Sequence, residues 1–396
     1  MRKKVAENSS AVWSLRLCGL WYPEKKNILL YNMYSWYSRI YFLMYVAHVS
    51  SMVTHVCLTC RDVESFAAST YVLSIKVIAV YKRIYISAGI SLARKLIYIL
   101  DDDQFQPKDA NQEKIEKKLF NSWRITANTL LFGVFNTVLF LILSPFIDGI
   151  SKMRLPFGAW YPFQQENQGV VTYTILYAFQ SLGTMFAGCT NVGTDVFISQ
   201  ILNNISMQCN LMSDTAENLY EFSAKDLDMS EPTREQILKN MNKTLISCIK
   251  QHKAILEYSK EVEKFFNLGL IGQFVACCMI ICMNMLRLSL LDEQGGEFVA
   301  LLIYHVIICI TLLSYCWHGN EVSVSSEKIP ISAYNCPWFE CSVEFQKNFA
   351  FFIMRTQKPI SILTLNFFPV SLAVFLFIMR SSYSFYAVLR SAHDKD

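Results

Sequence analysis

The sequence predicts an all-α polytopic membrane protein with seven transmembrane helices, an intracellular N-terminus, an extracellular C-terminus and an intracellular helical domain. Three observations carry this. Of 396 residues, 53% are hydrophobic and 17% charged, where an average soluble domain is about a quarter charged. The apolar residues stand in long blocks instead of alternating patterns, as a bilayer-crossing chain requires. Lys and Arg concentrate in one set of connecting segments. The net charge of +4 is too small to point to nucleic acid.

The first residues, MRKKVAENSSAVWSLRLCG, have no apolar core or cleavage site, so residues 1–35 are expected to stay inside the cell as an amphipathic segment. Spans follow near 36–58, 66–90, 126–147 and 171–196, making up transmembrane helices one to four within 36–196. The second carries Lys76 in mid-run and Lys82–Arg83 near its end, and the fourth carries Asn191 and Asp195. Residues 197–265 read as two helical extensions below the membrane, with Ile237, Met241, Leu245, Ile249 and Leu256 at helical spacing. The turn DLDMSEPT separates them, and Pro232 is expected to open the second. Spans five and six, near 266–290 and 298–317, lie within 266–318. An intracellular segment fills 319–360, and the last span occupies 361–388, interrupted by Pro369.

Orientation follows from the basic residues. The segments 1–39, 93–124, 199–264 and 319–360 hold 26 Lys and Arg, while 59–65, 147–170, 287–297 and the end from 380 hold 7. Basic loops stay in the cytosol. The sequons at Asn8, Asn204 and Asn242 all fall on that side, where they escape glycosylation. Receptors that couple to G proteins run the other way.

The chain contains no phosphate-binding glycine loop, no GxSxG and no HExxH, so the sequence predicts no enzyme, cofactor or metal. The 13 cysteines lie largely in apolar runs and read as buried free thiols. Asp195, where the fourth span leaves the bilayer, is the one carboxylate in a span that carries a functional suggestion, and Lys76 in the second span qualifies as an ionisable group of the same kind. In the outer half of the bundle, Tyr71, Phe132, Asn136, Phe140, Tyr173, Tyr177 and Tyr304 are expected to line a cavity for a small apolar ligand. Aromatic walls with few hydrogen-bonding groups suit such a molecule.

From residue 315 the chain reads YCWHGNEVSVSSEKIPISAYNCPWFE, later FFIMRTQKPISILTLNFFPVSLAVFLFIMRSSYSFYAVLR. Cys316 with Gly319-Asn320-Glu321, Ser325, Ala333-Tyr334-Asn335 with Trp338-Phe339, Met354-Arg355 with Gln357-Lys358-Pro359, Phe368-Pro369 with Ser371-Leu372, and the terminal SYSFY closely resemble the C-terminal motif of insect odorant receptors. Arg16, Gly19, Trp21 and LPFGAWYPF (155–163) are fainter matches. The resemblance implies an odour-gated, non-selective cation channel of four subunits. In it, a tuning subunit that binds a small volatile ligand works with the co-receptor Orco.

It further implies that the intracellular ends of helices four to seven form the anchor between subunits, with Tyr334, Trp338, Arg355, Gln357, Lys358 and Pro359 in it. The pore-lining part of helix seven then occupies 361–390. Ser371, Phe375, Ile378, Ser382, Tyr386 and Leu389 form one stripe there, and Ser382, Tyr383, Tyr386 and Leu389 are the pore and gate candidates. By position Tyr386 corresponds to the family's outer gate, where the co-receptor carries an aliphatic residue. The chain lacks the co-receptor's long insertion between helices four and five. It also lacks TYxxxxxQF, the motif of the related gustatory channels, whose homotetramer is the alternative reading.

Overall fold

The structure, a computed structural model, describes residues 10–23, 27–59, 63–147, 155–162, 169–227, 229, 231–290, 296–365 and 367–393. Its helices are α1 (Ser10–Leu17), α2 (Ile28–Thr59), α3 (Val63–Tyr98), α4 (Ala110–Ile147), α5 (Val170–Glu217), α6 (Leu219–Lys225), α7 (Arg234–Leu290), α8 (Gly296–Tyr334), α9 (Val343–Thr356) and α10 (Leu372–His393). A hairpin of β1 (Leu363–Thr364) and β2 (Phe368–Pro369) precedes α10. Stretches long and apolar enough to cross a membrane lie in α2, α4, α5, α7, α8 and α10. The seventh span is α3, 36 residues long, whose apolar run is broken by Lys76, Lys82 and Arg83.

The 48 residues of α5 rise ~72 Å at about 1.5 Å each, well beyond a hydrocarbon core of ~30 Å. This helix is the central post, packed along α8 and α4 and touched by α1 and α3. The 57-residue α7 likewise runs unbroken from the intracellular side into the membrane. Its start is a capping box: Gln236 N–H donates to Thr233 Oγ1 at 3.5 Å, and Thr233 N–H donates to Gln236 Oε1 at 2.9 Å. Pro232 therefore precedes the cap instead of opening the helix. Ile237, Met241 and Leu245 are buried, but Ile249 is exposed and Cys248, Ile255 and Tyr258 take over. A spacing of four drifts about 40° per step on a 3.6-residue helix, so that stripe rotates out of the core.

The N-terminal helix α1 is tucked into the bundle, with Ala11, Val12 and Leu15 fully buried. Gly19 ends it at φ +70°, a left-handed conformation that glycine adopts without steric cost. Arg83 reaches from α3 to donate to Cys18 O, and to Ser38 O at 2.8 Å. That contact fastens α1 to α2. Asn204 is buried in α5; Asn8 lies outside the described residues.

The last span, expected from 361, is helical only from Leu372. Pro369 cannot donate a helical hydrogen bond. The hairpin instead docks on α7: Leu363 N–H donates to Glu263 Oε1 at 3.0 Å and Leu365 N–H to Asn267 Oδ1 at 2.6 Å.

In the intracellular part, Trp338 stacks on Phe349 and Phe349 on Phe345, with centroids 5.9 and 5.6 Å apart. His252 of α7 packs edge-on to Phe352. Burial, with the Arg355 guanidinium adding to it, pulls its imidazole from 6.5 down to about 4. The unfolded chain therefore takes up this proton first, and stability falls as pH drops from 6.5 toward 4. Purified protein should show a lower thermal midpoint at pH 5 than at pH 7.5, and His252→Gln should flatten that difference. An unchanged difference would assign the acid sensitivity elsewhere.

Candidate ligand-binding site

A cavity of about 120 Å³ lies among α3, α4, α5, α7 and α8. Phe157 of the 155–162 loop joins its lining, and the loop folds back so that Phe157, Ala159 and Tyr161 are buried. Gln180 holds this loop by its backbone, accepting from Phe157 N–H and donating to Phe157 O, both at 3.0 Å. Trp160 N–H donates to Ser51 O at 3.0 Å. The loop is thereby pinned to α5 and α2.

The cavity is graded along its depth. Toward the outside Tyr71, Leu141, Phe157 and Leu301 face it; toward the inside come Lys82, Asn191, Asp195 and Gln273. Lys82 and Asp195 form an ion pair whose side chains are 6% and 8% exposed, and the Tyr315 hydroxyl also donates to Asp195 Oδ1. Lys76 is buried too, 2.6 Å from His48 Nε2, donating to Thr184 Oγ1 at 3.1 Å and lying 4.2 Å from the Phe157 ring centre. Every charge in the wall thus has polar or aromatic company, which burial in a membrane demands.

Of the residues read from sequence, Tyr71 and Tyr304 line this cavity, with ring centroids 6.4 Å apart. Phe132, Asn136 and Phe140 line a separate outward-facing groove of about 690 Å³ between α4 and α8; Phe132 is 72% exposed. Groove and cavity share Thr137, Leu141 and Ile307, so one layer of side chains separates them. Tyr173 and Tyr177 line neither. They pack together with centroids 5.9 Å apart, and Tyr177 donates to Ile142 O, tying α5 to α4.

On α10, Ser382 is fully buried against the chain's own bundle, its hydroxyl donating to Ile378 O at 2.8 Å. Ser382 lies behind the exposed face. Tyr386 is half-buried against the outer core cluster, while Tyr383 is 60% exposed and Leu389 is also exposed. Arg390 donates to Ser289 O at 2.8 Å, joining the outer end of α10 to the top of α7. In the intracellular region Tyr334 is exposed and Trp338 half-buried, and Arg355, Gln357, Lys358 and Pro359 are exposed. Around them Phe339, Val343, Phe351 and Met354 are exposed apolar side chains beyond any candidate span.

Sequence reading did not place Phe157, Lys82, Asn191 or Gln273 in the cavity. The signal for the last three was available, since each is a polar group inside an apolar run. Among the described residues no group of three His, Cys, Asp or Glu could hold a metal ion.

The fold has known counterparts. The solved structure of the olfactory receptor OR5 from Machilis hrabei, in complex with eugenol, superimposes with a TM-score of 0.82 over 99% of this chain and 98% of that one at 15% identity. Odorant receptor Or1 of Anopheles gambiae is 24% identical over 97% of this chain and 96% of its own length. Odorant receptor 67c of Drosophila melanogaster is 25% identical over 76% and 74%. The family model described as 7tm Odorant receptor matches residues 62–383. A seven-helix membrane chain with an apolar cavity between its helices, matched by that family over most of its length, belongs to the insect odorant receptors.

Proposed function

We propose that this chain is the odour-sensing subunit of a ligand-gated, non-selective cation channel, assembled with the co-receptor Orco as a heterotetramer in the membrane of olfactory sensory neurons. The cavity among α3, α4, α5, α7 and α8 carries the reading. It is small and mostly apolar, as suits a site for a volatile molecule.

The route from ligand to pore is short. Cys277, Ile280 and Gln273 of α7 line the cavity, and α10 packs on α7 and α8. The Arg390 contact makes the outer end of α10 follow the top of α7. A ligand that fits one packing of α7 better than another shifts that balance and carries α10 with it. The exposed face of α10, with Tyr383 and Leu389 toward its outer end, lines the pore, while Ser382 supports it from behind and Tyr386 sits at the edge. Apolar and aromatic groups there close the pore by excluding water.

Assembly rests on the intracellular patch. Phe339, Val343, Phe351 and Met354, together with Tyr334, lie beside Arg355, Gln357, Lys358 and Pro359. Lipid tails do not reach this depth, and a large exposed apolar surface in water marks a protein interface. The test is whole-cell current under a panel of small volatiles, in cells expressing the chain alone and with Orco. Odour-evoked cation current only with the partner is the expected result; current from the chain alone would overturn the heteromeric requirement, and silence with both at the surface would overturn the channel reading.

A further inference from the structure

The groove between α4 and α8 and the cavity behind it share a wall. Thr137 and Leu141, one helical turn apart on α4, and Ile307 on α8 line both volumes. The groove is the larger, about 690 Å³ against about 120 Å³. Leu139, Leu143 and Ile303 line the groove alone and belong to stretches of α4 and α8 apolar enough to cross a membrane. They are 42%, 45% and 48% exposed, so the medium they face in a bilayer is hydrocarbon.

The shared wall is an apolar seam. Asn136, Thr137 and Thr311 direct their side-chain donors into their own helices, to Phe132 O at 2.7 Å, Gly133 O at 2.9 Å and Ile307 O at 2.8 Å. Across the seam, Ile307 Cδ1 lies over Gly133, 3.6 Å from where a Cβ would stand. Swinging that side chain aside gives up dispersion contacts only, and side-chain and helix motions of this kind run from nanoseconds to milliseconds. The 155–162 loop is fastened differently. Phe157 exchanges two hydrogen bonds with Gln180, and Trp160 N–H donates to Ser51 O. Lifting the loop means breaking polar bonds as well.

Resting on the odour-sensing reading above, we infer that the α4–α8 groove is the port through which small apolar molecules enter the cavity from the outer leaflet, with Ile307 as its door. Such molecules concentrate in the bilayer first, because each CH2 favours hydrocarbon over water about fourfold. They collect in the groove, pass between Ile307 and the Thr137–Leu141 turn, and settle in the cavity. The groove sets how fast a ligand arrives and leaves, and the cavity sets how tightly it is held.

Fluorobenzene is the probe, because a cavity of about 120 Å³ is of the order of the ~150 Å³ that takes up benzene. Its bound fluorine NMR signal is recorded on the full chain with Orco in nanodiscs. Loss of that signal in Ile280→Phe assigns it to the cavity, since Ile280 lines the cavity and not the groove. Saturation transfer then gives the rates of binding and release. Gly133→Phe fills the groove from a position that does not line the cavity. It should slow both rates about tenfold and leave their ratio unchanged, an effect equivalent to roughly a dozen carbon–carbon contacts. Ile307→Ala should speed both rates by a similar factor, which a folding defect does not do. Rates unchanged in both variants, or release altered without binding, would overturn the port. A wild-type chain with no cavity signal would overturn the cavity as a ligand site, and with it the reading on which the port rests.

Discussion

Asp195→Ala should prevent the chain from reaching the cell surface in folded form. The substitution leaves the Lys82 ammonium in a site where its side chain is 6% exposed, with no carboxylate to balance it. Breaking a buried pair by removing one partner costs about 3–5 kcal/mol, a large share of the ~5–15 kcal/mol by which proteins are usually stable. The Tyr315 hydroxyl loses its acceptor in the same step. The effect is specific to the imbalance, because replacing both charges with apolar groups of similar volume removes the desolvation cost together with the attraction. Lys82→Met combined with Asp195→Leu should therefore recover much of the surface expression that Asp195→Ala loses. Surface labelling and detergent thermal midpoints of wild type, Asp195→Ala and the double variant decide this. A folded Asp195→Ala protein at wild-type levels would show that the pair carries no structural weight.

That pair also marks where sequence reading stops. Six spans were legible because each carries a long apolar block, and the intracellular extensions of α5 and α7 because helical spacing continues past the membrane. Asp195 stood out as a carboxylate in a span, but its partner lies 113 positions away on α3. Nothing local in the sequence joins them. Phe157 was hidden for a similar reason. It sits in a loop whose return over the cavity depends on Gln180, 23 residues downstream.

The stripe of α10 teaches a different point. Of the stripe Ser371, Phe375, Ile378, Ser382, Tyr386 and Leu389 read from periodicity, Ile378 and Ser382 are buried and Leu389 is exposed, because period alone does not say what covers a side. Here α7 and α8 do. Tyr71 and Phe132 carry the same lesson, since both are aromatic residues in outer half-spans. One lines the inner cavity and the other an outward-facing groove, because rotation about the helix axis is fixed by packing partners.

Gly319→Ala should lower the thermal midpoint and strongly reduce odour-evoked current at normal surface expression. The expected sign is opposite to the usual one. In a helix interior, exchanging glycine for alanine gains about 1 kcal/mol of propensity. Gly319, however, lies where α8 meets the segment that leads into α10. A Cβ there would stand 2.5 Å from Val370 O and 2.6 Å from Val370 Cγ1. The oxygen belongs to backbone and has no rotamer by which to move. Val370 is itself buried, and its N–H donates to Ile362 O at 2.9 Å. Relief requires about 1 Å of separation to reach ordinary contact, and the whole start of α10 must supply it. Overpacking of this kind costs about 1–3 kcal/mol, which outweighs the propensity gain. Gly133→Ala is the control: its Cβ would meet Ile307 Cδ1 at 3.6 Å, so only the favourable term remains and the midpoint should hold or rise. If Gly319→Ala raised the midpoint as Gly133→Ala does, the close seat of α8 on Val370 would be ruled out as a constraint on α10. If it lowers the midpoint while current disappears, the angle at which α10 leaves this seat supports the proposed role of α10 in gating.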